Sequence, residues 1–138
     1  MKEGDFYAGF DEARQKEYED EARDRYGDEL VNESLRRWKI YSAERKAEIV
    51  ARGKEILSAI HANMWRGFDR PQIQTQVEAL HKHIDNFYEC SYQRFRGLGR
   101  LYREHPDFVA MYQGYDPGMP EFIWQAIGYY CDSRMSAE

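Results

Sequence analysis

Apolar residues recur along most of the chain at intervals of three and four, the spacing that gathers them on one side of a helix. The clearest stripe is Ile49, Val50, Gly53, Ile56, Leu57, Ile60 and Met64; it predicts a helix over 43–64, capped by Ser42 and with Glu44 in its first turn. Gly53 inside it costs roughly 1 kcal/mol against alanine, so a close helix contact is expected there. After a turn at Gly67 and Asp69, Pro71 starts a helix that the stripe Ile73, Val77, Leu80, Ile84, Phe87 and Tyr88 carries to about Glu89. Ser91 caps the next, which bears Phe95, Leu98, Leu101 and Tyr102. Pro106 opens a short helix closed by Gly114, and Pro120 opens the last, through Phe122, Ile123, Ala126, Ile127 and Tyr130, before a polar tail over 132–138. Upstream, Asp28 caps a short helix to about Ile40 with Leu30, Ser34, Leu35 and Trp38 on one side. No stretch alternates in the manner of a strand and no repeat is visible, so the expected class is all-α.

The segment over 11–26 has helix-forming composition but a thin stripe, Tyr18, Ala22 and Tyr26, with Glu17, Glu19, Asp20, Glu21 and Asp24 around it. Ordering a backbone costs roughly 1–2 kcal/mol per residue, and this segment has little to bury in return. It is expected to be the least stable element, either ordered only when something covers it or packed through its tyrosines as a solvated helix. Gly27 suits the stop that follows.

Composition narrows the function. A chain of 138 residues is one domain with room for a core. Its net charge of -5 argues against phosphate neutralisation on nucleic acid. Cys90 and Cys131 are too few and too far apart for a disulfide framework or a zinc site, no apolar run reaches the ~18 residues of a membrane span, and no signal core opens the chain. A cytoplasmic setting is the simplest expectation.

Catalytic and metal chemistry find no positive support. His81 and His83, two apart on a helix, point to nearly opposite sides and cannot chelate together. His81 reads as a satisfied or exposed helix residue and His83 as a candidate pocket group. Cys90, just before a helix N-terminus, could hold a thiolate, though a half-buried structural cysteine is the commoner outcome. Aromatic residues make up 15% of the chain, with 11 tyrosines whose hydroxyls outnumber the partners a small core supplies. Some therefore face a cleft or solvent. Such a frame suits holding a ligand, and acidic residues near rings would favour a lipophilic cation.

The run FYEC over 87–90, then GLGRLY over 97–102, HPDFVAMY over 105–112 and PGMPEFIWQAI over 117–127 resembles the TipAS antibiotic-recognition domain, the effector module of a branch of MerR-type activators. YEDEARDRYG over 18–27 resembles that family's acidic first helix, and Ser34 and Tyr41-Ser42 fall where its second and third helices begin. The likeness spans about 10–127. Members that respond to thiopeptides resemble the chain at Cys90 and carry a second cysteine, the one expected to capture ligand covalently, where Gly97 stands here. Relative to the family, this chain carries about three more residues between Phe10 and Tyr18 and about one fewer before Cys90.

The resemblance implies an all-α, globin-like single domain over 1–138, with a mobile lid segment over 1–40 and a helical core over 41–131. It implies a non-enzymatic, cofactor-free cleft for bulky amphipathic drugs or peptide antibiotics. Tyr88, Tyr92 and Tyr102 are the expected wall residues, Tyr26 and Trp38 parts of the lid, and His83 and Asn86 the hydrogen-bonding groups. DNA would be reached only through an N-terminal helix-turn-helix domain that this chain lacks, in a full-length regulator that admits a homodimer. The alternatives are a stand-alone protein that sequesters drug and, more remotely, a globin-like cofactor protein.

Overall fold

Caps and prolines set most element boundaries in the computed structural model, which describes residues 28–137. Six α-helices follow one another among these residues: α1 Asp28–Ile40, α2 Ala43–Asn63, α3 Pro71–Ile84, α4 Tyr92–Glu104, α5 Pro106–Gln113 and α6 Met119–Ala137. There is no strand among them. The helix expected over 11–26, with Tyr26 and Gly27, lies outside the described residues.

Ser42 Oγ accepts from Arg45 N at 3.0 Å and Ser91 Oγ from Arg94 N at 3.1 Å, so the hydroxyls satisfy amides at the starts of α2 and α4. His105 caps α5, its Nδ1 accepting from Asp107 N at 3.2 Å, with Pro106 in the first turn. After α2, a 3-10 turn over Met64–Arg66 ends at Gly67, whose φ of 111° is open to glycine and strained for other residues.

Two boundaries depart from the sequence reading. α3 ends at Ile84, about five residues early, although its stripe continues through Phe87 and Tyr88. Here Asn86 competes with the helix ladder: its amide and its Nδ2 both donate to His83 O, at 3.1 and 2.8 Å, and Phe87 N turns back to Ile84 O at 2.8 Å. α6 runs on through the expected polar tail. Arg96 bonds Asp132 at 2.5 Å and Arg134 lies 3.5 Å from Glu78, so side chains of other helices hold that polar end.

The chain divides into two compact units, one comprising 28–54 of the described residues with His83–Glu89, the other Glu55–Lys82 with 90–137. In the second, α4 packs along α6 and α5 packs on both. Phe95, Ile73, Val77, Met119, Ile123, Ile127 and Cys131 are fully buried there. A Cβ on Gly99 would stand 3.2 Å from Ile127, so this glycine lets α6 seat a side chain on α4. Around a Cβ on Gly97 none of the described residues lies within 4 Å. In the first unit Val31, Trp38, Ile49 and Val50 are buried, as is Gly53.

Candidate functional site

The first unit brings Trp38, His83, Asn86 and Tyr88 onto α1 and the turn over 83–89. Trp38 stacks on Phe87, centroids 5.7 Å apart at 25°, and meets Tyr41 edge-on at 6.2 Å. The Tyr41 hydroxyl donates to Asn86 O at 2.6 Å, and Arg45 donates to Asn86 Oδ1 at 3.0 Å. Arg37, paired with Glu33 at 2.6 Å, also donates to Asp85 O at 2.6 Å. The turn is thus tied to α1 and α2 by donors reaching its carbonyls, replacing the helical bonds it forgoes.

One group in this cluster is left over. Trp38 is 5% exposed, and its Nε1 is buried without a hydrogen-bond partner among the described residues. An indole nitrogen only donates, and burying it unpaired costs roughly 1–3 kcal/mol. Lys46 Nζ lies 5.4 Å from the centroid of the same ring. Half-buried His83 meets Phe87 edge-on at 6.2 Å; burial, then the charges of Arg52 and Arg45, push its pKa below the usual imidazole value. Tyr88 is buried at 5% exposure.

Tyr92 and Tyr102 belong to the second unit. Tyr102 is buried against Phe108 and Tyr112, at 5.1 and 5.2 Å. Half-buried Tyr92 lies 5.3 Å from the His81 ring, and its carbonyl accepts from Cys131 Sγ at 3.4 Å. His81 is the satisfied histidine its sequence position allowed: Nε2 is 2.7 Å from Cys90 O, Nδ1 is 2.9 Å from Tyr130 Oη, and the ring stacks on Phe95 at 4.6 Å and 8°. A carbonyl cannot donate, so Nε2 carries the proton and the Tyr130 hydroxyl donates to Nδ1. Burial first of all raises that hydroxyl to about 12 and the Cys131 thiol to about 11, keeping both protonated. Cys90 is buried too. Among the described residues no three His, Cys, Asp or Glu side chains are placed to hold a metal ion, and no helix is long and apolar enough to cross a membrane.

Sequence reasoning passed over Tyr41, Arg45, Lys46 and Phe87 as partners of Trp38 and Asn86. The available signals were Asp85-Asn86, poor helix formers inside a helical stripe, and the basic residues Arg36, Arg37, Lys39, Arg45 and Lys46 flanking the Trp38-to-Ser42 connection.

Each unit thus holds its own cluster of rings with a few directed polar groups among them. The chain belongs to the TipAS antibiotic-recognition domain family, whose model matches residues 18–130. It is 36% identical over 139 residues to the HTH-type transcriptional activator mta of Bacillus subtilis (strain 168), a match covering 97% of this chain and 54% of that protein. The chain therefore spans about half the length of this curated relative. TipAS of the Streptomyces lividans thiopeptide resistance system, solved in complex with nosiheptide, superposes with a TM-score of 0.78 at 22% identity, over 93% of this chain and 90% of that one. That likeness establishes the fold, all-α and globin-like.

Proposed function

We propose that this chain is the ligand-sensing effector domain of a MerR-family transcriptional activator, one that takes bulky amphipathic or aromatic compounds. The observation that carries the reading is the match to a helix-turn-helix activator through nearly the whole chain at 36% identity. The rest of that relative's length is where the DNA-binding half of such a regulator belongs. Ring faces supply most of the binding energy and a few polar groups the orientation. Trp38, Tyr88, Tyr92, Tyr102 and Tyr26 are the proposed ring surfaces, and His83 and Asn86 the proposed polar contacts.

In this reading the segment over 1–40 is the lid, 41–131 the helical core, and the regulator works on cytoplasmic DNA without catalysis or a cofactor. A ligand shifts such a lid only by its preference for one state. The test is a thermal-shift titration of the purified domain with nosiheptide and a panel of amphipathic aromatic drugs. A true ligand at 100 times its Kd adds about 2.7 kcal/mol of stability and slows amide exchange over 11–40. A bound compound that leaves that exchange unchanged overturns the lid. A panel without any concentration-dependent shift overturns the assignment.

A further inference from the structure

We infer that Trp38 and Lys46 form a donor-only subsite for an acceptor oxygen of the ligand, a carboxylate above all, so that the compounds recognised are anionic or neutral aromatics and not lipophilic cations. The inference rests on the reading of this chain as a binder of aromatic compounds and adds the chemistry of what is bound.

Three observations converge on it. Trp38 Nε1 is a buried donor with no acceptor among the described residues, and the oxygens of the turn beside it are aimed at other donors. Asn86 O takes the Tyr41 hydroxyl, Asn86 Oδ1 takes Arg45, Asp85 O takes Arg37, and the Glu33 carboxylate is shared by Arg36 and Arg37. A ligand oxygen would supply what the protein does not. An unpaired buried donor is unfavourable only until that oxygen arrives, so its relief is a preference for the bound state.

Second, Lys46 Nζ stands over the Trp38 ring, with no ion pair or hydrogen bond among the described residues. It is therefore available to a carboxylate, and a charge-assisted bond of that kind is stronger than a neutral one. Third, the positions a cation would want are taken. Phe87 stacks on the Trp38 ring and Lys46 already stands over it, so a cationic ligand would have to displace the ammonium. Residues 36–54 carry seven Lys and Arg, at 36, 37, 39, 45, 46, 52 and 54, against Glu44 and Glu48. Glu48 itself lies 3.6 Å from Arg45. The pKa of His83 is lowered first by burial and then by the charges of Arg52 and Arg45. Over residues 28–54 and 83–89 together, seven Lys and Arg balance seven Asp and Glu, so the acidic excess of the whole chain lies outside these residues.

The experiment uses protein labelled with 15N at its three tryptophans and two probes of one shape, 2-naphthoate and 2-naphthylmethylammonium. The Trp38 indole resonance is assigned by eliminating the other two with Trp65→Phe and Trp124→Phe, which leaves Trp38 intact. Naphthoate is expected to bind about tenfold more tightly than the ammonium and to move the Trp38 indole proton downfield, as a new charge-assisted hydrogen bond does. Lys46→Met, a change at a half-buried position, is expected to bring the two affinities to within about twofold, as loss of that charge-assisted bond requires. Equal or tighter binding of the ammonium by the unaltered protein overturns the subsite while leaving the aromatic-binding reading standing. So does naphthoate binding that leaves the Trp38 indole unmoved, or a preference that survives Lys46→Met. Failure of both probes to bind up to their solubility overturns the subsite together with the reading beneath it.

Discussion

Where α4 lies on α6, shape is held by apolar burial. Phe95 and Ile127 are sealed, Gly99 lets the helices close, and His81 of α3, stacked on Phe95, uses both ring nitrogens. The turn over 83–89 is held differently. Its carbonyls are gripped by Arg37 and Tyr41, and the indole beside it has a donor with nowhere to go. A region tied by a few polar bonds opens more cheaply than one whose shape is the packing itself. The turn adds these polar ties to the burial of Phe87 and Tyr88, and beside it the Trp38 donor lacks a partner among the described residues.

The largest change should come from the packed side of this contrast. Phe95→Ala removes a fully buried ring and is expected to cost about 3–5 kcal/mol by urea unfolding. A smaller loss would mean that α4 and α6 collapse into the space and are less rigid than proposed. His81→Leu strands the Tyr130 hydroxyl and the Cys90 carbonyl, for about 1–3 kcal/mol by the same measurement.

On the polar side, Tyr41→Phe deletes one bond to Asn86 O, worth about 1 kcal/mol. The effect should be local, with faster amide exchange over 83–89 and little change in α4. Global destabilisation would erase the contrast. The smallest effect concerns His83. Its folded pKa lies below the ordinary value of 6.5, so the unfolded chain binds the extra proton first. Stability from this source is complete above pH 6.5 and is lost as pH falls toward the folded value. His83→Gln should flatten that part of a stability-against-pH curve, and an unchanged curve would assign the acid limb to other groups.

The fold was legible wherever the signal was local. The α2 stripe, the Ser42 and Ser91 caps and the prolines that open α3 and α5 each act within one or two turns, and the structure places them as their chemistry predicts. The misses came from contacts far apart in sequence. α6 continues past Cys131 because Arg96 and Glu78, on other helices, take its polar residues, and no window of sequence contains that information. The end of α3 was half visible: Asn86 marked it, but Phe87 and Tyr88 kept the apolar period going. At the site, Trp38 and Asn86 stood out as residue types. That Tyr41, Arg45 and Lys46 would bracket them depends on how a chain reversal after Ile40 brings two helices to one turn.

Gly97 carries a last implication. With open space among the described residues where a side chain would begin, none of them forbids a thiol at that place, and a helix interior would gain from losing its glycine. A cysteine placed there would fit against the described residues, and its rate of labelling by a thiol reagent would measure how open that face of α4 is.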